Sequence, residues 1–128
     1  MPNIDLFGRT IGLLQKTLDL RVQNHQAISA NIANVDTPEY RAVHLEFEPG
    51  LRRALADSKK SGGGVDSFSG FAARAIRKTD PSDIGDHNSV NLDDEMVALA
   101  ENQMLYDAAT QMVTKKLGLL RYVILEGK

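Results

Sequence analysis

The chain has no cysteine among its 128 residues, which excludes a disulfide, a thiolate nucleophile and a zinc site of the cysteine type. It also has no tryptophan, and aromatic residues make up only 5%. A compact core would therefore be built from Leu, Ile, Val, Ala and Met, which favours long helices over a sheet. At this length we expect a single structural unit.

The chain also lacks a large excess of charge of one sign and lacks long apolar runs. The formal net charge is −2 with both signs interspersed, so nothing attracts a nucleic acid or an anionic membrane surface. The longest apolar runs, residues 96–100 and 122–125, are far shorter than the roughly 20 residues of a bilayer span. Because Asp5, Gly8 and Arg9 interrupt the first apolar segment, we expect no cleaved secretory signal peptide.

Two stretches carry a heptad pattern, residues 4–35 and residues 92–124, and eight of ten core positions are apolar in each. Each stretch predicts a helix of about 30 residues, roughly 45 Å long. Asn91 is a suitable N-cap for the second helix. Acidic residues 93–95 follow it, and basic residues lie toward the other end, as the helix dipole favours.

We therefore predict a mainly α fold: long N- and C-terminal helices that pair as a coiled-coil-like hairpin, with an irregular central segment. The predicted parts are residues 1–35, 36–91 and 92–128, within one structural unit. Arg21 and His25 interrupt the seam, where either a polar contact with Gln103 and Thr110 or a partly exposed position fits the pattern. The predicted seam contains Ile11, Leu14, Leu18, Ile32, Leu99, Tyr106, Val113, Leu117 and Leu120.

A second apolar stripe runs along each helix, about 130° from the seam at 100° per residue. A two-helix hairpin cannot cover both faces. Either the central segment folds back over the outer stripes, or other subunits cover them, as is typical of contacts that build helical fibres. We expect the second arrangement, with a subunit interface formed by Leu6, Leu13, Leu20, Leu105, Met112 and Leu119.

The central segment contains short signals only. Residues 43–47 alternate like a strand, and residues 51–56 predict one or two helical turns after Pro49-Gly50. Residues 58–64 predict a flexible loop, and residues 79–82 a turn. A small apolar anchor is expected from Phe68, Phe71 and Ile76.

Motifs of catalysis and cofactor binding are lacking. The three histidines show no metal-ligand spacing, and Asp83, Asp86 and His87 fit a solvated loop better than a metal site. The triple glycine at residues 62–64 lacks the Lys and Ser/Thr of a phosphate loop. We expect no catalytic residue, no metal and no cofactor.

The most specific segment is residues 31–41, Asn-Ile-Ala-Asn-Val-Asp-Thr-Pro-Glu-Tyr-Arg. The residue before a proline is pushed out of the α region, so the first helix should end near Asn34 or Val35. Asn31 and Asn34 lie one turn apart on the same side. They either face solvent or bond the extended chain after Pro38, and we favour the second.

This segment resembles the N-terminal signature of flagellar basal-body rod and hook proteins. Residues 90–96, 99–103 and Tyr106 are similar to the C-terminal helix of the B-type proximal rod protein; the C-type rod protein is the closest alternative. Glu39 and His87 stand where the family commonly has glycine. The motif positions are Asn31, Asn34, Thr37, Pro38, Tyr40 and Arg41.

The resemblance implies a structural subunit of the proximal rod, the drive shaft of the flagellar motor, polymerising through its terminal helices in the periplasm. Such proteins pass through the flagellar type III export apparatus without a cleaved signal. Their implied partners are other copies, other rod proteins, the membrane-ring protein and the small adaptor at the ring-rod junction. A cytoplasmic coiled-coil adaptor is the alternative from another class, and no constellation supports an enzyme.

Overall fold

The computed structural model describes residues 2–61, 73–77 and 88–127. Two long helices precede and follow a short middle part in the chain. The elements in chain order are α1 (Pro2–Ala33), β1 (Val43–Glu46), α2 (Glu48–Ser61), β2 (Arg74–Arg77) and α3 (Leu92–Glu126). In the described part of the chain, no helix combines the length and apolar character that crossing a bilayer requires.

The helices α1 and α3 pack against each other as an antiparallel pair. Asn24 bonds Asn102, and Asn31 bonds Glu95, so seven residues forward on α1 correspond to seven residues backward on α3. These two helices have 32 and 35 residues. The predicted mainly α fold with paired terminal helices is therefore confirmed.

The buried face of α3 is displaced by one residue from the predicted seam. Glu95, Asn102 and Ala109 are its buried residues, spaced by seven, and Lys116 continues the row half-buried. The predicted seam residues Leu99, Tyr106 and Val113 flank this row and are half-buried.

Two residues of the predicted seam, Leu117 and Leu120, are not buried within the subunit, so this part of the prediction is wrong. They are 50% and 40% exposed. Leu117 follows Lys116 and is rotated off the buried row by about 100°. By the register of the helix pair, Leu120 lies opposite the first turns of α1, near the end of the hairpin.

The buried face of α1 is also rotated relative to the apolar heptads. It is centred on Asn24 and Asn31, which bond α3, with fully buried Leu20 on one side and Ile28 on the other. Leu14 is buried as predicted. The other predicted seam residues of α1 are half-buried: Ile11, Leu18 and Ile32.

Leu20 was expected at a subunit interface, and this is wrong, because the residue is 0% exposed within the subunit. Its position lies about 40° from that of Asn24 around the helix, inside the face that meets the rest of the chain. Leu13, one heptad earlier, is half-buried. The side chain of Leu6 lies outside the described residues.

The central segment packs on α1 through β1, and Ala42 and Phe47, which flank β1, are buried. β1 pairs with β2 in an antiparallel two-stranded sheet, in which Val43 faces Arg77 and Glu46 faces Arg74. The predicted strand is confirmed, whereas β2 was not anticipated.

The helix α2 is longer than predicted. It begins at Glu48, before Pro49-Gly50, because proline is well suited to a first helical turn, and Leu51 N–H donates to the Phe47 carbonyl at 2.9 Å. It continues through residues 58–61, where a loop was expected. Residues 62–64, Phe68, Phe71 and residues 79–82 lie outside the described residues. Ile76 is 42% exposed, so it is no apolar anchor here.

Candidate functional site

The side chain of Asn31 is the centre of a buried polar cluster at the end of α1. Its Nδ2 group donates to the Val43 carbonyl at 2.9 Å and to Glu95 Oε2 at 3.1 Å. Its Oδ1 atom accepts from Val43 N–H at 2.9 Å and from the Tyr40 hydroxyl at 3.2 Å. Both donors and both acceptor positions of the amide are used, so the residue is fully satisfied although it is 0% exposed.

The side chain of Asn31 therefore takes the place of a neighbouring strand beside β1. One side-chain amide bonds both backbone groups of Val43, as a neighbouring strand would. This confirms the expectation that Asn31 bonds the extended chain after Pro38. Since the same amide reaches Glu95, it joins α1, β1 and α3 at one point.

Glu95 is a carboxylate that is only 2% exposed, on the buried row of α3. Its Oε1 atom lies 2.9 Å from Nε2 of His44, and its Oε2 atom accepts from Asn31. An ionised carboxylate only accepts, so a hydrogen bond between these two atoms requires an N–H at Nε2 of His44. Two donors thus compensate the burial of this acid. Among the described residues, no group of three His, Cys, Asp or Glu has the arrangement of a metal site.

The turn after α1 is held by Asn88 and Ser89, which lie just before α3. The two N–H groups on Nδ2 of Asn88 are shared among the carbonyls of Asn34, Val35 and Thr37, which lie at 2.9, 2.8 and 2.7 Å. All three carbonyls lie in the turn that follows the last residue of α1, Ala33. Ser89 N–H donates to the Tyr40 carbonyl at 3.0 Å. These hydrogen bonds join the turn after α1 to the residues that precede α3.

Asn34 and Thr37 serve the turn itself. Asn34 Nδ2 donates to the Ala30 carbonyl at 2.8 Å, and the Thr37 hydroxyl donates to Asn34 Oδ1 at 3.0 Å. The expectation that Asn34 bonds the chain after Pro38 is wrong, because its amide turns back onto the helix. Pro38 and Arg41 are both exposed.

Glu39 follows Pro38 with φ of 60°, the one positive value among the described non-glycine residues. Glutamate adopts this left-handed conformation at an energetic cost that glycine avoids. The backbone at this position thus accounts for the glycine that the resemblance leads one to expect there.

A second polar contact lies further along the helix pair. Asn102 Nδ2 donates to the Arg21 carbonyl at 2.9 Å, and Asn24 Nδ2 donates to Asn102 Oδ1 at 3.0 Å. Asn102 is 2% exposed. Together with Asn31 and Glu95, it places polar contacts at two levels of the helix interface, seven residues apart.

Arg21 and His25, which interrupt the predicted seam, have different roles. The Arg21 guanidinium lies 4.8 Å above the Phe47 ring and 3.1 Å from Glu48 Oε1, so it fastens the start of α2 to α1. His25 is exposed and lines a cleft of about 300 Å³ that Gln103 also borders. Neither residue bonds Gln103, whose amide donates to Asp107, nor Thr110, whose hydroxyl donates to the Tyr106 carbonyl.

The outer stripe of α3 is uncovered in the subunit. Leu105, Met112 and Leu119 are 46%, 57% and 59% exposed. Nothing in the described part of the chain buries them.

The chain is similar along most of its length to curated proteins named flagellar basal body rod protein FlgB. The protein of Borrelia hermsii is 30% identical over 85% of this chain and 90% of its own length. That of Yersinia ruckeri is 31% identical over 80% and 84%. That of Bacillus subtilis strain 168 is 30% identical over 98% of this chain and 100% of its own length. The chain belongs to the FlgB family.

Membership of the FlgB family confirms the resemblance drawn from residues 31–41 and decides between the B-type and C-type alternatives. It makes the chain a structural subunit of the flagellar basal-body rod. No protein-family model matches the chain, so the assignment is based on these relatives.

The residues that sequence reasoning missed in this FlgB-family chain are polar. Glu95 was interpreted as a helix-start residue only, and Asn88, Asn24 and Asn102 were given no role. Asn102 and Glu95 are spaced by seven, as are Asn24 and Asn31. A search for polar heptads beside the apolar ones would have found Glu95, Asn102 and Asn24.

Proposed function

We propose that the chain polymerises in the proximal rod, with the outer stripe of α3 as a contact to neighbouring subunits. The observation that supports this most directly is the distribution of exposed apolar side chains. Of fifteen large apolar residues that are exposed in the described structure, two, Val22 and Ile76, lie elsewhere and thirteen lie on α3. Exposed apolar side chains concentrated on one helix in this way mark an interaction site.

The inner face of α3 explains why the outer one is free to bind. Its buried row consists of Glu95, Asn102 and Ala109, so little of the apolar surface of this helix is used within the subunit. Residues 122–125, Tyr-Val-Ile-Leu, are all 58–64% exposed near its end. The apolar surface on α3 is therefore available for association between chains.

The assembly we propose is the periplasmic drive shaft, reached through the flagellar type III export apparatus. Neighbours of the subunit would be other copies, other rod proteins, the membrane-ring protein and the ring-rod junction adaptor. The support for these partners is membership of the FlgB family together with the unpaired surface of α3. The role is mechanical and requires no catalytic residue.

The test is to isolate hook–basal bodies from flagellated cells that carry this chain as their FlgB-family protein, and to identify it by mass spectrometry. We expect the chain in the basal-body fraction and motile cells. Recovery only from the cytoplasmic fraction would instead support the coiled-coil adaptor and overturn the proposal.

A further inference from the structure

The solvent face of α2 carries four cations in two pairs, and one exposed acid, Asp57, lies about 40° from Arg53 around the helix. Leu51, Ala54 and Leu55 are half-buried on the other side of this helix. The two cation pairs are each spaced by seven residues, so each pair lies along one side of the helix and spans about 10.5 Å. All four side chains are exposed: Arg52 with Lys59, and Arg53 with Lys60.

The outer stripe of α3 carries two acids with the same spacing. Asp94 and Glu101 are exposed, seven residues apart, and lie within about 40° of Leu105 around the helix at 100° per residue. They continue the apolar stripe toward the start of α3. Their separation along the axis is also about 10.5 Å.

None of these six charges has an ion-pair partner within the described residues. No basic residue occurs on α3 before Lys115, so this part of the stripe is acidic only. A neighbour that covers the apolar stripe must also meet Asp94 and Glu101, and like charges there would oppose the contact. A second copy brings two cations at the required spacing.

We propose that the cationic face of α2 in one subunit docks on the Asp94–Glu101 part of the α3 stripe in a second copy of the chain. This inference rests on the proposed function, since it names one contact of the polymer. The apolar residues of the stripe provide the contact area. The pairing of two α2 cations, Arg52 and Lys59, with the acids Asp94 and Glu101 fixes the position of α2 along the stripe.

The test is a charge exchange, measured as the amount of chain in isolated basal bodies. We expect Arg52→Glu with Lys59→Glu to reduce incorporation at least about tenfold, and Asp94→Lys with Glu101→Lys to do the same. All four substitutions together should restore incorporation to within about threefold of wild type, because the pairs are re-formed with opposite sign.

The matched control is Arg74→Glu with Arg77→Glu, which makes the same change of charge on exposed residues of β2. It should leave incorporation near wild type. Circular dichroism of each purified variant separates loss of docking from loss of folding.

A second measurement uses the absence of cysteine in the chain. One cell expresses two different chains, one with Arg52→Cys and the other with either Glu101→Cys or Asp94→Cys. Basal bodies from these cells are treated with a bismaleimide about 10 Å long, which is near the distance between packed helices. A covalent dimer in one combination supports the proposal, and it joins two copies because each has a single thiol.

Three results would overturn the inference. They are wild-type incorporation of either double variant, failure of the exchange to rescue both, and cross-links to another protein in place of a second copy. Absence of the wild-type chain from basal bodies would refute the proposed function itself, so the two failures are distinguishable.

Discussion

At the scale of single residues, the chain depends on side chains that replace backbone partners. The Asn31 side chain bonds Val43 as a neighbouring strand would. The Asn88 side chain donates to three carbonyls of the turn, as a helix C-cap would. An amide suits both positions, because it carries donors and an acceptor on one rigid group. Their importance follows from what is left unpaired when they are removed.

Asn31→Asp should destabilise the subunit strongly although its shape is nearly unchanged. The carboxylate loses both donors, leaves the Val43 carbonyl unpaired and lies beside buried Glu95. We expect a loss of about 3 kcal/mol or more in the free energy of unfolding, since each unsatisfied buried group costs about 1–3 kcal/mol. Urea unfolding followed by circular dichroism measures it.

Asn34→Asp is the control, because Asn34 lies only one turn away and bonds its own helix. Its effect should stay near 1 kcal/mol, the value of an ordinary hydrogen bond. Equal losses in the two variants would mean that the Asn31 cluster has no special weight.

Glu39→Gly should stabilise the subunit by about 1 kcal/mol, because φ is 60° at this position and glycine has no Cβ to strain there. Glu39→Ala keeps the strain and should change little. The comparison of the two thermal midpoints is the measurement. A glycine variant no more stable than the alanine variant would contradict the explanation given for this position.

At the scale of elements, α3 is inverted relative to an ordinary surface helix. Its buried row contains Glu95 and Asn102, while apolar residues such as Met112 and Leu119 are exposed. The apolar residues of α3 are therefore buried only in part within a single subunit. The helix α2 is the opposite case, with its half-buried residues on one side and its cations on the other.

Leu105→Glu on the outer stripe should leave the subunit folded, with a change in stability within about 0.5 kcal/mol, as for surface substitutions in general. It should nevertheless prevent incorporation into the rod, because the apolar contact of Leu105 is lost and the new charge must be desolvated in the contact. Thr114→Glu, on an exposed position about 180° away around α3, is the matched control. Exported protein and incorporated protein are measured for both; normal incorporation of Leu105→Glu would exclude this stripe as an interface.

At the scale of the whole molecule, the polar contacts determine how α1 and α3 are aligned. A purely apolar seam allows two helices to slide by a heptad, whereas a buried polar contact favours one register. Here Asn24–Asn102 and Asn31–Glu95 select the same register. The connection at Asn88 and Ser89 supports it from the end of the hairpin.

The register predicts that Thr17 lies opposite Ala109, one heptad from the Asn24–Asn102 pair. A Thr17→Cys, Ala109→Cys variant should form an intramolecular disulfide, since Cα atoms of facing residues with one small side chain can approach within about 7 Å. Thr17→Cys with Lys116→Cys, displaced by about 10.5 Å, should not. Mobility in non-reducing gels distinguishes them, and a disulfide only in the second variant would show that the register is wrong.

The sequence alone determined the class of fold, the start of α3 and the family. Asn91 caps α3 as predicted, with bonds to the amides of Asp93 and Asp94. Residues 31–41 identified the family, because a proline-terminated turn with fixed polar positions is a local feature. Local features depend on neighbours in the chain, so they can be deduced from it.

Only the tertiary structure decided which faces are buried. Apolar periodicity placed Leu117 in the seam and Leu20 outside it, and both were wrong. The faces are rotated because Asn31, Glu95 and Asn102 find hydrogen-bond partners on other elements, up to 81 residues away in the chain. A polar side chain is buried only where such partners exist, and their existence is a property of the assembled fold.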